Sequence, residues 1–161
     1  MITGCGYTTG SLLPSNYRVI SISPFKNKVG FLNENVRGLY VPLLEVKAHD
    51  AVVTRFQQDG HLKVNNASNA DLTLEGELIG FDREDVRTDD NNNVQEYRVR
   101  VTVSLKLIDN AEGKEVWSEP SFSGEATYYL AGPQAKSETA ALQDALTDLS
   151  RRIVERTLEN W

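Results

Sequence analysis

Three groups of residues have types and spacing that bear on chemistry. Cys5 is the one cysteine of the chain and sits between Gly4 and Gly6. A thiolate is a nucleophile and a metal ligand, but a lone one excludes an internal disulfide and a cysteine-cluster zinc site. Arg98, Arg100 and Lys106 lie in "EYRVRVTVSLKLID" at even spacing. On a strand, alternate residues stand about 6.6 Å apart on one face, so these three form a cationic ladder. Guanidinium forks match phosphate oxygens, whereas cross-strand acids such as Glu75, Glu77 and Glu125 would neutralise the row. The stretch "DREDVRTDDNNN" carries Asp82, Glu84, Asp85, Asp89 and Asp90, all hard oxygen ligands, but not at the spacing of a calcium loop. It reads as a solvated loop tip. His49 and His61 belong to no HExxH, and neither a GxSxG nor a glycine-rich phosphate loop occurs. No catalytic residue, metal site or cofactor is expected.

Something must hold these residues in place. Residues 1–16 are rich in Gly, Thr and Ser and read as an extended lead-in, leaving 17–161 as a single domain. "YRVISISPF" (17–25) alternates and reads as a strand ending at Pro24. From Val41 to Asp59 the period turns helical through Leu44, Ala48, Val52 and Phe56, with Pro42 suited to a first turn and Gly60 to a stop. "HLKVNN" is a short strand. "ADLTLEGELIGF" (70–81) alternates throughout, and the polar run after it reads as loop. In the long strand Tyr97, Val99, Val101, Val103, Leu105 and Leu107 share the face opposite the ladder. At about 3.3 Å per residue it would reach about 45 Å, long enough to require a bend or bulge. "NAEGK" is a hairpin turn, and "EVWSEPSFSGEATYYL" returns as a strand interrupted by Pro120. Ser137 caps a final helix with a stripe through Leu142, Leu146, Leu149, Ile153 and Leu158. The expected fold is α+β: a two-layer sandwich, two helices packed on one face of a four- to five-stranded, mixed, mostly antiparallel sheet.

A net charge of -6 argues against a nucleic-acid binder, and no apolar run approaches the roughly 20 residues that span a bilayer. "ITGC" orders an aliphatic residue, two small ones and Cys. That is the pattern around the cleavage site of bacterial lipoproteins, whose thiol takes a diacylglyceryl group before Cys becomes the N-terminus. One acyl chain holds weakly and several hold firmly. The charged and apolar parts of a signal peptide do not precede Ile2, so a trimmed leader is expected. The alternative is a stray exposed thiol in a loose tail.

The neighbours of Cys5 extend the pattern. "GCGYTTGSLLPSNYRVISISPF", "NADLTLEGELIGFDRED", "EYRVRVTVSLKLIDNAEGKEVWSEPSFSGEATYY" and "ETAALQDALTDLSRRIVERTLENW" follow one another along nearly the whole chain. This succession resembles the LptE family of outer-membrane lipopolysaccharide-assembly lipoproteins. The resemblance implies a non-enzyme, anchored by lipid at Cys5 on the periplasmic side of the outer membrane. It implies a plug and assembly partner for the β-barrel LptD, and a direct contact with lipopolysaccharide, for which Arg98, Arg100 and Lys106 are the candidate residues. Two other readings stay open: a periplasm-facing lipoprotein of another envelope assembly machine, and a non-lipidated protein-binding module.

Overall fold

A computed structural model describes residues 13–29 and 41–159. In chain order the elements are β1 (Val19–Ile22), β2 (Lys26–Asn27), α1 (Leu44–Asp59), β3 (Lys63–Val64), a 3-10 turn (Ala67–Asn69), β4 (Leu72–Thr88), β5 (Val94–Asp109), β6 (Lys114–Tyr129) and α2 (Glu138–Glu159). The six strands form one mixed sheet in the order β3-β1-β4-β5-β6, with β2 also paired to β4. The β4–β5 and β5–β6 ladders are antiparallel, while β1 runs parallel to β3 and β4. Both helices pack on one face, α2 over β6 and β5 and α1 beside it. The expected two-layer α+β architecture is therefore the observed one.

The core follows the alternation. Leu72, Leu74 and Leu78 of β4 and Val99, Val101, Val103, Leu105 and Leu107 of β5 are buried under the helices. They meet Leu44, Ala48, Val52 and Phe56 of α1 and Ala141 to Leu158 of α2. Burial of each large aliphatic side chain is worth about 1.5–3 kcal/mol, which sets the pairing register face by face. Local signals act as read at most ends. Gly60 takes a left-handed φ of 79° and donates its N–H to the Phe56 carbonyl, and the Ser137 hydroxyl caps the Ala140 N–H.

Three local expectations are corrected. The strand at 17–25 breaks at Ser23–Phe25, and pairing resumes as β2. The Phe25 ring fills the space beside Gly76, where a Cβ would lie 2.5 Å from it. Helix α1 begins after Leu43, whose φ is 56°, so Pro42 precedes the helix instead of opening it. The polar run 82–88 is strand: β4 continues to Thr88 and pairs with β5 back to Val94. This distal hairpin exposes residues 82–88, so it needs no apolar face and gives no alternation to read.

The expected irregularity is present, but mainly on the neighbours of β5. Extra residues fall at Ile79 and Val86 on β4, and around Pro120 and Val116 on β6. Pro120 has no N–H to give a ladder, and an irregular point on an edge strand is where proline is tolerated. Gly124 lets the two layers approach closely. A Cβ there would lie 2.4 Å from the Leu149 nitrogen and 2.5 Å from the Ala145 carbonyl oxygen.

Candidate functional site

The cationic row lies on the face of β5 away from the helices. Its members are part-exposed because no element among the described residues covers that face of the sheet. The alternation that buries Val99 and Val101 forces Arg98 and Arg100 outward. Register then brings acids alongside them. Glu84 on β4 stands opposite Arg98, and Glu125 on β6 stands opposite Arg100. Arg100 donates to Glu84 Oε1 at 2.9 Å and to Glu125 Oε2 at 3.2 Å. Arg98 is held more loosely, 3.7 Å from Glu84 and 3.8 Å from Glu125. Its Nε is buried without a hydrogen bond. Lys106 stands apart along the strand, 3.9 Å from Glu115.

Two guanidiniums and two carboxylates thus form a neutral lattice across three strands. Burial works against the charge on Arg100, but the hydrogen bonds it donates to Glu125 and Glu84 outweigh it and raise the pKa. Of the acids expected beside the ladder, Glu125 takes that place. Glu75 faces Lys106 in register, but the partner within 4 Å of Lys106 is Glu115; Glu77 faces Ser104. Glu84 was not anticipated, because its segment read as loop. The signal that would have found it is the β4–β5 register carried past Phe81. Exposed pairs of this kind are worth about 0–1 kcal/mol each, so an anion can replace a carboxylate at small cost.

The remaining sequence candidates separate. Asp89 builds the β4–β5 turn: it accepts the N–H groups of Asn91 and Asn93, and its hydrogen bond from the Asn93 side chain leads in holding its carboxyl below the usual range. His49 packs edge-on to Phe25 at 5.8 Å and contacts Asp50, while His61 contacts Asp59 at 2.8 Å. The two imidazoles share no site. Among the described residues no three His, Cys, Asp or Glu side chains cluster as metal ligands, and no helix is long and apolar enough to cross a membrane. Tyr128 ends a strand: its ring lies 5.7 Å from that of Tyr97, and its hydroxyl donates to Glu138 in the first turn of α2. Arg83 completes that junction, 2.7 Å from Glu138 and stacked over Tyr97. Cys5 lies outside the described residues.

The sequence matches the family model LptE, described as lipopolysaccharide-assembly, over residues 17–157. The chain belongs to the LptE family. The match begins at the first strand and ends in the last turns of α2, so it includes the whole sheet and both helices. No curated protein matches the sequence. Several solved structures share the LptE-like architecture of the chain. The PelC dodecamer from Paraburkholderia phytofirmans is 17% identical with a TM-score of 0.54, covering 94% of this chain and 96% of that one. An uncharacterized lipoprotein B from Nitrosomonas europaea is 15% identical with a TM-score of 0.57, over 91% and 84%. A minor lipoprotein from Acinetobacter baumannii is 12% identical with a TM-score of 0.52, over 88% and 90%. At these identities the likeness is one of fold.

Proposed function

We propose that this LptE-family chain is a lipid-anchored protein of the outer membrane, held on its periplasmic side through Cys5. It acts without catalysis, as plug and assembly partner of the LptD β-barrel in the delivery of lipopolysaccharide to the outer leaflet. The observation that carries the reading is the family match across residues 17–157, a family of lipopolysaccharide assembly. The shape suits the role. Strands of 16 and 17 residues are about 50–55 Å long, and the helical layer on one face gives a rigid body able to fill a wide lumen. Lipid at Cys5 confines the domain to the membrane plane and raises its effective concentration near a barrel.

Direct contact with lipopolysaccharide falls to Arg98, Arg100 and Lys106 in this reading. Of the two arginines Arg98 is the more loosely held, with no acid closer than 3.7 Å, so a phosphate oxygen displaces little there.

Affinity purification of the lipidated protein from detergent-solubilised outer membranes tests the reading. Recovery of one large β-barrel in equal amount is expected. Recovery of a soluble periplasmic partner instead, or of the protein alone from the cytosol, overturns it.

A further inference from the structure

The two carboxylates beside β5 are unequally shared between its arginines. Glu84 stands opposite Arg98 in register, and Asp82 opposite Arg100. Glu84 nevertheless reaches diagonally to accept from Arg100 Nη1 at 2.9 Å and lies 3.7 Å from Arg98. Glu125, opposite Arg100 on β6, accepts from its Nε at 3.2 Å and lies 3.8 Å from Arg98. Both acids are therefore hydrogen-bonded to Arg100, and both stop short of hydrogen-bond length to Arg98. The Arg98 side chain keeps 34% of its surface exposed. Its register partner on β6 is Thr127, which brings no charge.

That sharing matters because a carboxylate and a phosphate oxygen compete for the same N–H groups. An acid fixed on a neighbouring strand competes at high effective concentration, since it cannot diffuse away. A shift of about 1 Å would bring either acid to hydrogen-bond length on Arg98. What occupies them instead is the Arg100 fork, which is always charged and gives each acid its own N–H. We infer that Arg100 is a positioning residue: it holds Glu84 and Glu125 off Arg98 and so keeps that guanidinium open to an anionic oxygen. The inference rests on the contact with lipopolysaccharide proposed above and gives the two arginines different parts in it. Arg98 meets the phosphate, and Arg100 serves that contact through the acids it holds.

Two measurements on the full chain separate the role of Arg100 from the contact it serves. In the ligand-free protein, NMR of the arginine side chains reports how freely the Arg98 guanidinium turns. R100A should slow that rotation as the released acids close on Arg98, and R100A/E84Q/E125Q should restore it. Rotation in R100A as fast as in the wild type overturns the inference, whatever the ligand does. Lipopolysaccharide dispersed in detergent is then titrated. R98A should bind roughly fivefold or more weakly, and R100A about three- to tenfold more weakly. R100A/E84Q/E125Q should return to within about twofold of the wild type. R100A/E75Q/E77Q carries the same net charge on the same sheet face, and neither of its acids stands opposite an arginine, so it should stay weak. Equal recovery in the two triple variants, or a loss that E84Q/E125Q does not repair, overturns the inference. Wild-type affinity in R98A removes the contact itself, and the part of Arg100 with it, even where the rotation responds.

Discussion

The carboxylate of Asp148 on α2 accepts a hydrogen bond from the backbone N–H of Glu125 on β6, at 3.2 Å. One turn further along, Arg152 donates to the Ser123 carbonyl and stacks over Phe122. Strand β6 is the last of the sheet, so these backbone groups point off its free edge. Helix α2 therefore does two things: its apolar stripe covers the sheet, and two of its polar side chains close the edge against a stranger's strand.

Replacing both, D148A with R152A, is expected to cost roughly 1–3 kcal/mol. The distinguishing readout is association: light scattering should rise with time at a constant temperature below the thermal midpoint of the variant. Scattering equal to that of the wild type would show that the edge needs no such guard.

Gly124 makes the same junction possible. Adding one methyl group there pushes against the backbone of Ala145 and Leu149, which a helix cannot yield locally. G124A should lose roughly 1–3 kcal/mol or more in denaturant unfolding. G76A meets the Phe25 ring, a side chain that can swing, and should lose less. The reverse order would mean that α2 does not sit on β6 as described.

The pH dependence centres on Tyr17 and Asp109, whose side chains meet at 2.6 Å. The hydrogen bond from Tyr17 leads in holding the Asp109 carboxyl below its ordinary range, with the N–H groups of Glu112 and Ala111 adding to it. The same bond to Asp109 raises the Tyr17 phenol. A lowered acid favours the fold above its unfolded pKa of about 3.9 and loses that contribution as pH falls through the native value. A raised phenol favours the fold below its unfolded pKa of about 10 and loses it as pH rises through the native one. Y17F should therefore flatten the stability profile at both ends, below about pH 4 and above about pH 10. A profile parallel to the wild type at both ends would contradict the pairing.

Where the chain was legible, an apolar face was being written. Val99 to Leu107 and Leu142 to Leu158 show their periods because burial selects every second or every third and fourth residue. The hairpin beyond Phe81 is illegible for the converse reason: residues 82–88 are exposed, so nothing selects apolar residues there. Glu84 went unseen with it, and with Glu84 half of the carboxylate lattice around the arginines.

Asp89 supplies a local test. D89A removes the acceptor for the Asn91 and Asn93 N–H groups at the tip of the β4–β5 hairpin. Amide exchange should quicken from Asp85 to Gln95 and stay unchanged at Val101 and Val103 in the core. Equal protection at the tip would mean that the turn is fixed by its strands alone.

The role in the envelope is tested most directly by depleting the protein in its own cell and measuring newly made lipopolysaccharide at the cell surface. Surface lipopolysaccharide should fall while the molecule accumulates inside the outer membrane, and the wild-type chain should restore it where C5S does not. Unchanged delivery after depletion would contradict the proposed part in lipopolysaccharide assembly.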